Sequence, residues 1–132
     1  MKLLLDTPIW LWSHLEPERL SRRVAQALLA RDAELWLSPI SVWEFLLLAE
    51  KGRLSMPGKP RHWVEAALAK VPMHDAQLNL EVALHSRAIQ LEHDDPADRF
   101  LAATAAVYSL TLVTDDHRLL RGKGYRTLAN RG

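Results

Sequence analysis

Short apolar runs alternate along this chain with longer stretches of helical periodicity. Leu3-Leu4-Leu5 reads as a first strand, and Thr7-Pro8 opens a helix behind it with proline where its missing N–H is tolerated. Leu20, Val24, Ala27 and Leu28 keep helical spacing and predict a second helix over Ser21 to Arg31. Leu35-Trp36-Leu37-Ser38 is the second strand, and Ser41 is expected to cap a helix that ends at Gly52, a glycine suited to the C′ position. Pro60 to Lys70 is expected to be helical, with Val64 and Leu68 on one face, followed by a short strand at Val71-Pro72-Met73. Leu78, Val82 and Ile89 share a stripe of the next helix, and Pro96 opens an alanine-rich helix through about Tyr108. Leu110 to Val113 is a strand, Asp115 to Leu120 a short helix, and Tyr125 to Leu128 a final strand. Strands alternating with helices predict an α/β fold with a mainly parallel sheet. With no repeat, low-complexity tract or linker, residues 1–132 are expected to form one domain.

The carboxylates fall at particular places in this rhythm. Asp6 directly follows the first strand, Glu44 lies a helical turn after the second, and Asp98 sits in the first turn of the alanine-rich helix. Asp115 and Asp116 follow the fourth strand. In a parallel sheet the strand ends of one polarity share an edge, where ligands bind at the topological switch point. Acids from separated segments are therefore expected to converge there. A local explanation competes for each one. Every acid lies near a helix N-terminus, where a negative charge gains about 0.3–1 kcal/mol from the macrodipole. Ser41 with Glu44 reads as an S-x-x-E capping box, and Asp95 before Pro96 as an N-cap. Capping explains the acids singly but not their common edge.

Convergence has a cost that points to an ion. Two carboxylates about 4 Å apart repel by roughly 4 kcal/mol at an effective dielectric near 20. A divalent cation relieves that, and an all-oxygen, sulfur-free set suits Mg²⁺ or Mn²⁺ rather than zinc or copper. Mg²⁺ is often completed by substrate phosphate oxygens, which points to phosphodiester or phosphoryl chemistry with water as the activated nucleophile.

Composition narrows the alternatives. No cysteine is present, which excludes disulfides, thiolate metal sites and cysteine nucleophiles. The six histidines form no i, i+4 pair, and the five glycines build neither a P-loop nor a dinucleotide fingerprint. A haloacid-dehalogenase-type phosphatase wants a second Asp two residues after the first, where this chain has Pro8. A phospho-receiver domain also clusters acids, but expects its acceptor Asp at the end of the middle strand, and Val71–Met73 is followed by His74 and then Asp75. The net charge of +1 leaves any nucleic-acid contact to a local patch. Apolar runs such as Leu3–Leu5 and Phe45–Ala49 are too short for a membrane span, and the N-terminus does not read as a signal peptide, so a reducing cytoplasmic setting without membrane contact is expected.

Taken together, five segments resemble the PIN-domain family, in particular VapC-type toxins of bacterial and archaeal toxin–antitoxin pairs. They are Leu3-Leu4-Leu5-Asp6-Thr7, Ser38-Pro39-Ile40-Ser41-Val42-Trp43-Glu44, Lys51-Gly52-Arg53-Leu54, Asp95-Pro96-Ala97-Asp98-Arg99-Phe100-Leu101-Ala102 and Leu112-Val113-Thr114-Asp115-Asp116. The ordered set covers nearly the whole chain. The resemblance implies an α/β/α sandwich, a parallel sheet in the order 3-2-1-4-5 and a Mg²⁺-dependent endoribonuclease. It places Asp6 and Asp98 as the principal metal-binding acids, Glu44 as the third and Asp116, by the T-x-D pattern, as the fourth. It makes Thr7 and Thr114 the polar neighbours of those acids. It further implies an RNA substrate, a small antitoxin chain that covers the site, and toxin homodimers. Pro8 departs from the pattern, since many relatives carry histidine there.

Other residues carry weaker expectations. Arg99 is read as a phosphate contact, a brace for Asp98 or a surface ion-pair member. Arg118, Arg121, Lys123, Arg126 and Arg131 make the tail the best local candidate for phosphate contacts. Most of the five tryptophans are expected in the core, but Trp10 and Trp12 cannot share one helical face, so one of them is expected to be partly exposed. Consecutive Leu46 to Leu48 make their helix apolar on more than one side and open to another chain. His85 reads as a core histidine, and His93 as a neighbour of the site. Two further readings stay open: a PIN fold that binds RNA or protein without cutting, and a phosphoryl-transfer or receiver domain.

Overall fold

The computed structural model describes residues 1–54 and 56–132. In chain order the elements are β1 (Lys2–Leu5), α1 (Thr7–Leu15), a 3₁₀ turn (Pro17–Arg19), α2 (Arg22–Leu29), β2 (Glu34–Leu37), α3 (Pro39–Glu50), α4 (Pro60–Lys70), β3 (His74–Asp75), α5 (Leu80–Ser86), α6 (Pro96–Val107), β4 (Thr111–Thr114), α7 (His117–Arg121) and β5 (Arg126–Ala129). The five strands form one sheet in the order β3-β2-β1-β4-β5, parallel throughout. The chain winds outward from β1 to β3 and then returns to β4 on the other side of β1. The direction of winding thus reverses between β1 and β4, which places a crevice at their C-terminal ends.

Alternation along β1 separates two cores. Leu3 and Leu5 face one side with Ile9 and Trp10 of α1, Val24 of α2, Phe45 of α3 and Val64 of α4. Leu4 faces the other with Leu101, Ala102 and Ala105 of α6 and Leu119 of α7. All three β1 leucines are at most 1% exposed, as expected for a central strand covered on both faces. The result is the three-layer α/β/α arrangement. Among the described residues, no helix is long and apolar enough to cross a membrane.

Several local expectations are corrected. The cap of α3 is Ser38, whose Oγ accepts from the Ile40 N–H at 3.1 Å, not Ser41. Pro39 takes the first helical position, so the helix starts earlier and the Ser41–Glu44 capping box does not exist. The third strand is His74–Asp75, paired with Trp36 and Leu37, not Val71–Met73. Val71 closes α4 through its N–H to the Ala67 carbonyl, and Pro72 has no N–H to give a ladder. That strand is also an edge rather than a middle strand. α5 stops at Ser86, so Ile89 is buried from a loop while Leu78 and Leu84 are exposed. Of the five tryptophans only Trp10 is fully buried; Trp12, Trp36 and Trp63 are half-buried, and Trp43 is 55% exposed. Gly52 stands just after α3 with φ +68°, a conformation that glycine adopts freely.

Candidate active site

Asp6, Glu44, Asp98 and Asp116 line one open pocket of about 370 Å³, together with Asp95 and Asp115. Each arrives by a different route. Asp6 leaves β1 and caps α1, accepting the Thr7 N–H on Oδ1 at 2.8 Å. Its other oxygen, Oδ2, accepts the Thr114 hydroxyl at 2.7 Å. That hydroxyl in turn accepts the Asp116 N–H at 3.1 Å, so the ends of β1 and β4 are joined through side chains. Asp116 caps α7, taking the Arg118 N–H at 2.8 Å. Glu44 comes from the second turn of α3 and accepts the Thr7 hydroxyl at 2.6 Å; that hydroxyl also lies 2.9 Å from Ser41 Oγ. Asp98 lies in the first turn of α6, its N–H held by the capping carboxylate of Asp95 at 3.1 Å. Capping and convergence therefore coexist, because parallel strands send several helix N-termini to the same edge.

The electrostatics follow from crowding. Burial, above all, pushes the Asp6 carboxyl up to about 6 against its hydrogen bonds from Thr114 and Thr7, with Glu44 and Asp116 adding repulsion. Asp98 is pushed up to about 7, first by burial and then by repulsion from Asp6, Asp95, Asp116 and Glu44. Glu44 is raised chiefly by burial, partly offset by Thr7. For Asp116, burial acts upward but is outweighed by the hydrogen bonds and charge of Arg118, leaving it below the ordinary value. Burial and crowding thus raise three carboxyls of the cleft, while Arg118 lowers the fourth.

The sequence profile of the PIN domain family matches residues 3–124. The chain belongs to the PIN domain family. It is 32% identical over 120 residues to Ribonuclease VapC22 of Mycobacterium tuberculosis, covering 89% of this chain and 88% of that protein. Among solved structures, VapBC2 from Rickettsia felis bound to a promoter DNA fragment aligns over 98% of both chains with a TM-score of 0.72 and 17% identity. DNA-bound VapBC from Salmonella typhimurium aligns over 98% of both chains with a TM-score of 0.69 and 24% identity. These likenesses establish the PIN fold and the VapC kinship expected from the motifs.

In this PIN domain, no three His, Asp or Glu side chains among the described residues stand at metal-enclosing distance. The carboxylate oxygens are engaged by the protein: Glu44 accepts from Thr7, Asp116 from Arg118, and both Asp6 oxygens accept hydrogen bonds. The donor chemistry nevertheless suits a hard divalent ion, since Mg²⁺ uses one or two carboxylates and keeps several waters. Asp6 and Asp98 are the two carboxyls that burial raises furthest.

The PIN fold also disposes of the other candidates. Arg99 stays out of the acid pocket: it is 7% exposed, donates from Nε to the Ser86 carbonyl at 2.9 Å and from Nη2 to the Ile89 carbonyl at 2.7 Å, and pairs with Asp94 at 3.7 Å. It thus anchors the loop that leads into α6. His93 Nδ1 accepts the Asp95 N–H at 3.2 Å, and its Nε2 lies 3.4 Å from Asp98 Oδ2. In the basic tail, Arg121 is bound by Glu92, Arg126 by the Ser109 carbonyl, and Arg131 by the Asp115 carbonyl. Only Arg118 reaches the pocket, with Nη2 3.3 Å from Asp116 Oδ2 and 4.0 Å from Asp98 Oδ2. Asp95, Trp12 and Pro8 line the site as well. Only the D-P-x-D pattern could have flagged Asp95, and there it reads as a cap.

Proposed function

We propose that residues 1–132 are a single-domain endoribonuclease, the toxin of a toxin–antitoxin pair, that cleaves RNA phosphodiester bonds with Mg²⁺, Mn²⁺ serving as a substitute. The observation that carries this reading is the meeting of Asp6, Glu44, Asp98 and Asp116, from four separate segments, in one pocket, with Asp6 and Asp98 raised first by burial and then by neighbouring carboxylates. Kinship with a ribonuclease of the VapC kind supports the choice of substrate.

When bound, the ion supplies a Lewis acid that lowers the pKa of water and balances charge on the phosphate. Asp6 and Asp98 would hold it directly, with Glu44 and Asp116 completing the set. Thr114 and the Thr7 N–H fix both Asp6 oxygens, so this carboxylate is oriented before an ion arrives. The Thr7 hydroxyl does the same for Glu44. Arg118, largely exposed at the rim, is placed to meet a non-bridging phosphate oxygen. The solved neighbours are described as VapBC complexes, which supports a VapB-like antitoxin as partner. Exposed Leu80 and Leu84 are compatible with pairing of toxin subunits, and a cytoplasmic location goes with this reading.

The test is RNA cleavage by the parent, Asp6→Asn and Asp98→Asn, in Mg²⁺ and in chelator. Each variant should lose at least about 100-fold, at the upper end of what disturbing an outer-shell partner of a metal costs. Cleavage undiminished in both variants overturns the proposal. RNA binding by the parent with neither cleavage nor Mn²⁺ affinity would favour a silent PIN-fold binding module instead.

A further inference from the structure

Trp12 is the one aromatic side chain on the acid pocket. Apart from the carboxylates, that pocket is lined only by Pro8, Trp12 and Arg118 among the described residues. Two positions earlier on α1, Trp10 is fully buried and packs edge-on against Phe45 and Trp63, with ring centroids 6.2 and 5.5 Å away. Side chains two apart on a helix point to different flanks, so burying Trp10 turns the half-buried Trp12 toward the pocket. Its ring is covered by a cation: the Arg19 guanidinium carbon lies 4.1 Å from the ring centroid. The fold builds this stack. Buried Asn130, beyond β5, donates from Nδ2 to the Arg19 carbonyl at 3.1 Å and accepts the Ser21 N–H at 2.7 Å. Those two bonds hold the turn over residues 17–21 in place. Glu16 steadies the Arg19 side chain at 3.3 Å and leaves it 51% exposed.

We propose that the Trp12–Arg19 stack is a nucleobase subsite, on which an unpaired base next to the scissile phosphate lies. This rests on the ribonuclease reading and adds to it the place on this chain where a base beside the cleaved bond is held. A pocket floored by carboxylates offers the neutral, flat part of a nucleotide only Trp12 and Pro8 to lie against. Aromatic rings and arginine planes are the surfaces on which splayed bases stack, whereas bases inside an A-form helix cannot reach them.

The experiment measures binding of a short single-stranded RNA, the same RNA with one abasic nucleotide, and a hairpin duplex. Fluorescence anisotropy is read with the full chain in Ca²⁺, which holds the phosphate without supporting rapid cleavage. Stacking on an aromatic contributes about 1–3 kcal/mol per base, so Trp12→Leu should weaken single-stranded binding by about 5- to 150-fold. Trp12→Phe should keep most of the affinity, duplex binding should not change, and the abasic penalty should vanish in Trp12→Leu. An unchanged urea midpoint for Trp12→Leu confirms that the variant is folded. Equal single-stranded affinity in parent and Trp12→Leu overturns the subsite while leaving the ribonuclease reading intact. So does an equal loss for duplex RNA. If Trp12→Leu keeps its RNA affinity but loses a co-expressed antitoxin, the stack belongs to protein recognition and the proposal fails. A parent chain that neither binds nor cuts RNA sinks both readings.

Discussion

Replacing Asp98 with asparagine separates convergence from capping, because the two make opposite predictions for the metal-free protein. Unfolded aspartate titrates near 3.9, while folded Asp98 is raised to about 7 and Asp6 to about 6. Between those values the folded state binds more protons than the unfolded one. The stability these groups contribute is therefore fully present below about pH 4 and lost as pH rises through 6 to 7. A shift of about three units at Asp98 corresponds to roughly 4 kcal/mol. The pocket mouth is open to water, so about 2–4 kcal/mol is the usable range. Asparagine forfeits about 0.3–1 kcal/mol of helix-dipole interaction. In chelator at pH 8, Asp98→Asn should thus be more stable than the parent by about 1–3 kcal/mol. The advantage should shrink as pH falls toward 4. Urea unfolding followed by circular dichroism at both pH values reads this directly. Mg²⁺ should reverse the order, since a ligand that binds only the folded parent stabilises it by mass action. A variant less stable than the parent at pH 8 in chelator would refute the reasoning and return Asp98 to a helix-terminal role.

Two further predictions concern the frame around the site. Arg99→Met should lose about 3–5 kcal/mol in urea unfolding, since two buried carbonyls lose a charged donor worth about 1.5–3 kcal/mol each; a loss below about 1 kcal/mol would contradict the anchoring role. Gly122→Ala should lower the melting temperature by several degrees, at a cost of about 1–3 kcal/mol. Its added Cβ would stand 2.6 Å from Leu91 Cδ2 and would collide with the Tyr125 hydroxyl that donates to the Leu119 carbonyl. An unchanged calorimetric melting temperature would show that this corner can yield.

Much of the architecture is written in short-range signals. Three leucines, a proline at the start of a helix, a glycine after its end and an apolar stripe act within a few residues of one another, and β1, α4 and the start of α6 lie where those signals put them. The acids at strand ends and the ordered PIN motifs are of the same kind, so the sequence alone delivered the family, the sheet order its motifs imply and four candidate carboxylates. It went astray where two local solutions were nearly equal. Ser38 and Ser41 both precede helical residues, and the position of Pro39 decided for Ser38. Val71 and Met73 look like a strand, but Pro72 between them cannot complete a ladder.

What only the tertiary structure decided are relations between residues far apart in the chain. Thr114 reaches Asp6 across 108 positions and Thr7 reaches Glu44 across 37, contacts that exist only because β4 pairs with β1 and α3 packs beside α1. Arg99 reads as a surface or catalytic arginine until the loop before α6 folds its carbonyls around it. Trp10 and Trp12 look alike until burial of one turns the other to the pocket. Propensity and periodicity act over a turn or two of backbone, whereas a shared pocket depends on the register and winding of the whole sheet.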